Sequence, residues 1–452
     1  MAEESLFGTD GIRGRAGDYP LITSFLEFLG ETLAGRLQGH DSPGKVLVGH
    51  DGRESGEPLA AAIAKGLNRG GIDVDLLGLA PTPCIAYLTG EGPYKAGIVI
   101  SASHNPATDN GIKLLSETGT KFNNAEEKAL SLDLEGASLP SSSPSVARGI
   151  TSRKDILSDY LSWMRTQAFP QLDFSGRKIV IDCANGAWSQ FAPRVLSAFG
   201  ADPVVIHNKP NGANINAGCG SLHPEIAAAT VIDENAFIGL SLDGDGDRAL
   251  LADEKGRILD GDALLAGLAR SILPTEKNTV VATVMSNLAL ERWMQKIGGK
   301  LVRTPVGDRY VAETMQTEGH SLGGEKSGHL LFGEEHSFRG DGIYTLLKVA
   351  EATLASKCSA SSFFADYRDF PQSLRNLPVT RRPALEELPF FSLACKQAEE
   401  TLEGKGRIVT RYSGTENCLR IMAEAETQEL VEAVLDSLQK AADQEGILSG
   451  TK

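Results

Sequence analysis

The chain has 452 residues, 41% hydrophobic and 23% charged, with a formal net charge of −15. That length exceeds one compact core and predicts three or four domains of ordinary globular make-up. The acidic balance excludes an overall basic footprint for nucleic acid or an anionic membrane, so an anionic small molecule would need a local basic pocket. The six cysteines form no C-x-x-C pair, which removes support for a zinc or thioredoxin-type motif and fits reduced thiols. The acidic first residues carry no apolar stretch of a signal peptide, and no uncharged run is long enough to span a bilayer. A cytoplasmic protein is expected.

In chain order, FGTDGIRGRAG comes first and sets Arg13 and Arg15 among glycines, as an anion contact or a tight turn. Three later segments repeat one pattern: apolar strand, short polar loop, amphipathic helix, glycine, second strand. They are VLVGHDGRESGEPLAAAIAKGLNRGGIDVDLLG from Val46, KIVIDCANGAWSQFAPRVLSAFGADPVVI from Lys178 and TVVATVMSNLALERWMQKIGGKLVRT from Thr279. The glycines Gly70 and Gly71, Gly200, and Gly298 and Gly299 end each helix before the next strand. Strands alternating with helices of this length imply βαβ crossovers, hence three related α/β domains with parallel or mixed sheets. A Ser/Pro-rich linker at 137–152 and breaks near 253–256 and 369–371 predict domains at 1–150, 151–255, 256–369 and 370–452. The last is expected to be α+β, with helices at about 389–402 and 427–443 and strands near 407–410 and 419–423.

Four clusters carry chemistry. In LSLDGDGDRALL, Asp243, Asp245 and Asp247 alternate with glycines, and three such carboxylates repel unless a cation neutralises them. Oxygen ligands alone suit Mg²⁺, Ca²⁺ or Mn²⁺. An EF-hand is set aside, because Arg248 stands where that loop needs glycine and the flanks read as strands. In GIVISASHNPATDNGIKLL, a buried strand runs into Ser101, Ser103, His104 and Asn105, beyond a strand's C-terminal end where reactive groups of α/β domains lie. Ser103 reads either as a covalent phosphate carrier, with Lys113 to balance charge, or as part of an Asn-Pro turn with hydroxyl caps. In GGEKSGH, Glu325, Ser327 and His329 suit sugar hydroxyls, with His329 a proton carrier or a satisfied polar residue. In RYSGTENCLR, Arg411, Ser413, Gly414, Thr415 and Arg420 combine guanidinium forks, hydroxyls and backbone N–H groups suited to a phosphate monoester, or form a hairpin turn with surface arginines. TPVGDRYV is expected to be a loop with an internal Asp308–Arg309 ion pair.

Together and in this order the clusters resemble the α-D-phosphohexomutase superfamily over nearly the whole chain. FGTDGIRG, ISASHNP, DCANGA, NINAGCGSLHPE, VGDRYV and GGEKSGH look most like its phosphoglucosamine mutase subgroup. The resemblance implies four domains around a central cleft and interconversion of glucosamine 6-phosphate and glucosamine 1-phosphate through a 1,6-bisphosphate. That reaction feeds UDP-N-acetylglucosamine and cell-wall precursors; a phosphomannomutase or phosphoglucomutase of the same superfamily is the alternative. It further implies a phosphorylated Ser103, primed by a hexosamine 1,6-bisphosphate or by autophosphorylation, and Mg²⁺ bound by Ser103, Asp243, Asp245 and Asp247. Glu325 and Ser327 would contact sugar hydroxyls. Arg411, Ser413, Gly414, Thr415 and Arg420 would hold the non-reacting phosphate. Arg13, His104, Lys113, Arg248 and His329 would balance charge and move protons. The expected partner is a sugar phosphate, not nucleic acid or membrane, and a homodimer is left open. The chain departs from the usual pattern at Lys326, where Gln or Asn is more common, at Gly246, where Ala is common, and at Tyr412, Asn417 and Cys418 of the phosphate loop.

Overall fold

The computed structural model describes residues 6–8, 10–38, 44–136, 149–153, 157–273, 278–413 and 417–449. Two compact units form: Met1–Met285 with Gly299–Ala365, and Ser286–Gly298 with Asp366–Lys452. Most of the expected Ser/Pro linker, 137–148, lies outside the described residues, as do Gly414 and Thr415.

The first unit holds three sheets. The first contains β1 (Ile12–Arg15), β2 (Lys45–His50), β3 (Asp73–Leu79), β4 (Tyr94–Ile100), β5 (Asp109–Ser116) and β6 (Thr151–Arg153), in the order β1-β5-β4-β2-β3-β6. β2 runs parallel to β3 and β4, whereas β5 reverses against β4 and β1. The buried run Val46–Leu47–Val48 is apolar throughout because both faces of a central parallel strand are covered. One cover is a pair of helices, Thr23–Leu37 and Gly56–Arg69. They cross where a Cβ on Gly66 would meet the Glu27 carbonyl oxygen at 2.0 Å, so only glycine permits this approach.

The second sheet has β7 (Lys178–Asp182), β8 (Asp202–Ile206), β9 (Ile238–Leu242), β10 (Ala249–Ala252) and β11 (Ile258–Leu259), in the order β11-β10-β9-β7-β8. The third has β12 (Thr279–Thr283), β13 (Lys300–Thr304), β14 (Leu322–Gly324), β15 (Leu330–Phe332) and β16 (Arg339–Gly340), in the order β13-β12-β14-β15-β16. Each expected strand–helix–strand segment contributes a parallel pair: β2 with β3, β7 with β8, β12 with β13. The repeat extends further than the sequence pattern. In every sheet a third parallel strand follows (β4, β9, β14) and then an antiparallel one (β5, β10, β15). The first sheet takes in β6, just past residue 150. The second takes in β11, because residues 253–256 form the turn of a hairpin.

The second unit contains β17 (Gln372–Pro378), β18 (Gly406–Tyr412) and β19 (Cys418–Ala425), antiparallel in the order β17-β19-β18. Helices Pro389–Leu402 and Gln428–Gln444 bury Phe391, Leu402, Val431, Leu435 and Leu438 against Leu419 and Ile421. This is the expected α+β pattern, with β17 added. The helix of the third repeat, Leu288–Lys296, belongs to this unit: its first N–H, at Leu288, donates to Glu424 Oε2 at 2.9 Å. No helix among the described residues is long and apolar enough to cross a membrane.

Candidate active site

The repeat positions the chemistry. Residues 101–108, 243–248 and 325–329 are the same loop in three sheets, the reversal from the third parallel strand to the antiparallel one. All three lie in the first unit and meet. Ala249 N donates to Gly328 O at 2.9 Å, and Thr82 N to Asp245 O at 3.0 Å.

Ser103 is 2% exposed and sits at φ 51, a left-handed conformation that costs a non-glycine residue energy unless its surroundings impose it. The surroundings do. Its N–H donates to Ser101 Oγ (2.8 Å), and Ser101 donates to Asp51 (2.6 Å). Its carbonyl accepts from Arg53 (3.0 Å) and Asn216 Nδ2 (2.8 Å). Arg53, with a fully buried side chain, also pairs with Asp51 Oδ2 at 2.9 Å and donates to the carbonyls of Asn105 (2.9 Å), Asp109 (3.0 Å) and Pro106. The Ser103 hydroxyl donates to Asp243 Oδ2 at 2.5 Å, and His104 Nδ1 lies 3.3 Å from it. Burial, helped by Arg248, pushes His104 down to about 4.

Asp243, Asp245 and Asp247 are at most 3% exposed, and each offers an oxygen within 4.8 Å of the others. Burial, then Asp247 and Asp245, holds the Asp243 carboxyl well above its ordinary value. Burial would raise Asp247 as well, but Lys113, His329 and Lys121 hold it down. The triad's own loop carries one basic residue, Arg248. The structure adds Lys113: its Nζ reaches Asp245 at 2.8 Å, Asp247 at 3.1 Å and Asp10 at 3.4 Å. Burial would discharge this lysine; Asp10, Asp245 and Asp247 instead keep its value well above normal. Asp245 Oδ1 and Asp247 Oδ1 remain buried, and among the described residues no hydrogen bond reaches them. Two such oxygens beside a third carboxylate and a serine fit a divalent cation with oxygen ligands.

Arg13 pairs with Asp10, which also binds Lys121 (2.6 Å). Lys121 crosses to Asp308 at 2.7 Å. Among the described residues, Asp308 and Arg309 do not form the expected internal pair. Both residues open the helix Asp308–Glu318, whose geometry turns them toward other segments, and Arg309 grips Glu127 at 2.6 Å. His329 lies 3.6 Å from Asp308 and 3.9 Å from Asp247. Glu325 accepts from Gly307 N at 3.1 Å and is raised by burial, while Ser327 is exposed. Lys326 is drawn aside to Asp260 at 2.6 Å. A cavity of about 520 Å³ lined by Thr82, Lys121, Asp247, Asp308, His329 and Arg339 opens beside this cluster.

In the second unit, Arg411 and Arg420 face each other directly across β18 and β19. Ser413 is buried, and its N–H donates to Cys418 O at 2.8 Å. Sequence reasoning missed Asp10, Arg53, Thr82, Lys121 and Asn216. The one available signal was HDGRESG, charged residues directly after a buried strand.

Four domain families match in order: phosphoglucomutase/phosphomannomutase alpha/beta/alpha domain I at residues 4–138, domain II at 159–256, domain III at 260–370 and the C-terminal domain at 374–441. A protein of Solidesulfovibrio magneticus named phosphoglucosamine mutase is 42% identical over 445 residues, 96% of this chain and 98% of its own. One of that name from Alkalilimnicola ehrlichii is 41% identical over 440 residues, covering 96% of each. The crystal structure of a phosphoglucomutase/phosphomannomutase family protein from Burkholderia thailandensis superposes with TM-score 0.81 at 23% identity, over 100% of this chain and 99% of its own. Aspergillus fumigatus N-acetylphosphoglucosamine mutase, solved with GlcNAc-6P and magnesium, gives 0.65 at 20% identity, over 97% and 96%. On its sequence likeness along nearly the whole length, the chain belongs to the phosphoglucomutase/phosphomannomutase family.

Proposed function

We propose that the chain interconverts glucosamine 6-phosphate and glucosamine 1-phosphate in the cytoplasm, through a phosphorylated Ser103. The observation that carries this reading is the Ser103 hydroxyl bonded to Asp243 inside a buried cluster of three carboxylates. The named relatives supply the choice of sugar. The bond from Ser103 Oγ to phosphorus breaks as one forms to the sugar O1 or O6, giving a 1,6-bisphosphate, whose other phosphoryl group then returns to Ser103 Oγ and frees the isomeric monophosphate. The sugar hydroxyl loses a proton to a base and the serine oxygen gains one. His104, 3.3 Å from Oγ, is placed to hold the serine proton. A Mg²⁺ held by Asp243, Asp245, Asp247 and the Ser103 phosphate would offset charge on the transferring group.

Lys113, Arg13 and Arg248 add fixed positive charge. Glu325 and Ser327 orient sugar hydroxyls, and His329 serves proton transfer. Arg411, Ser413, Gly414, Thr415 and Arg420 take the phosphate that does not react. Two measurements test the reading: intact mass for a phosphoryl adduct on Ser103, and kcat/KM on the 6-phosphates of glucosamine, mannose and glucose. Full turnover by Ser103→Ala without added bisphosphate would sink the phosphoserine. A higher kcat/KM on mannose or glucose 6-phosphate would sink the sugar assignment.

A further inference from the structure

The second sheet carries another cluster of metal-ligating side chains, away from the carboxylate triad. Asp182 ends β7 and is fully buried. His207 directly follows β8, at φ 48 with its side chain one-third exposed. Cys219 is fully buried in the loop before the helix Pro224–Asp233. Ligand atoms of the three lie within 4.8 Å of one another. Asp182 Oδ2 meets His207 Nδ1 at 2.9 Å and accepts Gly220 N at 3.0 Å, while Oδ1 accepts Ala184 N at 2.9 Å. Asn185 points its amide at Cys219 Sγ from 3.8 Å, and its N–H donates to His207 O at 2.7 Å. Backbone N–H groups therefore hold Asp182 and His207, and the Asn185 side-chain amide holds Cys219, before any ligand arrives.

We infer that Asp182, His207 and Cys219 form a binding site for a borderline-soft divalent cation, zinc above all. A thiolate, an imidazole and one carboxylate are the donor set that Zn²⁺ prefers, and three protein ligands leave a fourth position open to solvent past His207. The all-oxygen triad around Ser103 instead suits a hard cation. On binding, Cys219 gives its thiol proton to solvent and Sγ bonds the metal. Binding through His207 Nδ1 requires the tautomer with its proton on Nε2. Burial and Asp182 hold the free thiol up at about 11, so in the absence of metal it stays protonated and unreactive. Asn216, on the same loop as Cys219, grips the Ser103 carbonyl, so the metal site braces the loop that holds the reactive serine.

The test uses the full chain, reduced, with excess Mg²⁺ to occupy oxygen sites, titrated with Co²⁺ and then Zn²⁺. Wild type is expected to show a sulfur-to-cobalt charge-transfer band and to retain one zinc per chain through gel filtration. Cys219→Ser should lose the band. His207→Asn, a residue tolerant of left-handed φ, should keep the fold and weaken zinc about 10-fold or more. No band in wild type overturns the proposal, as does a band that survives in both variants.

Discussion

Arg53→Met tests how much of the candidate site depends on one residue outside the reactive cluster. The methionine fills most of the arginine's volume and donates nothing. Asp51 keeps its bonds from Ser101 and from the Arg53 backbone but loses its charge partner. The carbonyls of Ser103, Asn105, Pro106 and Asp109 lose a shared donor. Breaking a buried pair from one side costs about 3–5 kcal/mol. Each carbonyl left dry adds to that, up to about 1–3 kcal/mol where water cannot enter. The catalytic effect is separable, because a shift of about 1 Å in the reacting oxygen can cost about 100-fold in rate. Urea denaturation should therefore show a lower midpoint. Steady-state kinetics should show kcat down about 100-fold with KM nearly unchanged, since Arg53 faces Ser103's backbone and not the cavity. Arg53→Lys should recover part of the stability through Asp51 but little of kcat, because one ammonium cannot reach four carbonyls. A wild-type kcat in Arg53→Met would refute the clamp.

Three further outcomes follow from the same geometry. Gly246 has φ 73, and a Cβ there would lie 2.0 Å from Trp188 Cδ1, so Gly246→Ala should cost about 2–4 kcal/mol by calorimetry, with partial relief from Trp188→Phe. Lys113→Met should cost about 3–5 kcal/mol in EDTA and clearly less in Mg²⁺, because the cation then balances the same carboxylates; an equal loss in both refutes the shared-charge argument. Lys326→Gln should leave the sugar preference unaltered in a substrate panel, since the ammonium is committed to Asp260 and the buried Asp262.

Local periodicity made the strand–helix–strand repeat readable. A buried parallel strand, an amphipathic helix and a terminating glycine each leave a mark within some 30 residues, and all three copies form the strand, helix and parallel strand in that order. The carboxylate triad was readable for a similar reason, since three acids in five residues demand compensation wherever they fold. In the third copy the reversal left no such mark. β14 and β15 have three residues each, too few to express a period of two, so the equivalence of the three site loops emerges only from the sheets. Partners were beyond reach as well. Lys113 meets carboxylates more than 130 positions away, Lys121 meets Asp308 across 187, and Arg309 chose Glu127 over its neighbour Asp308. A charged side chain carries its need for a partner in its chemistry, but which partner answers depends on which loops the folded sheets bring together.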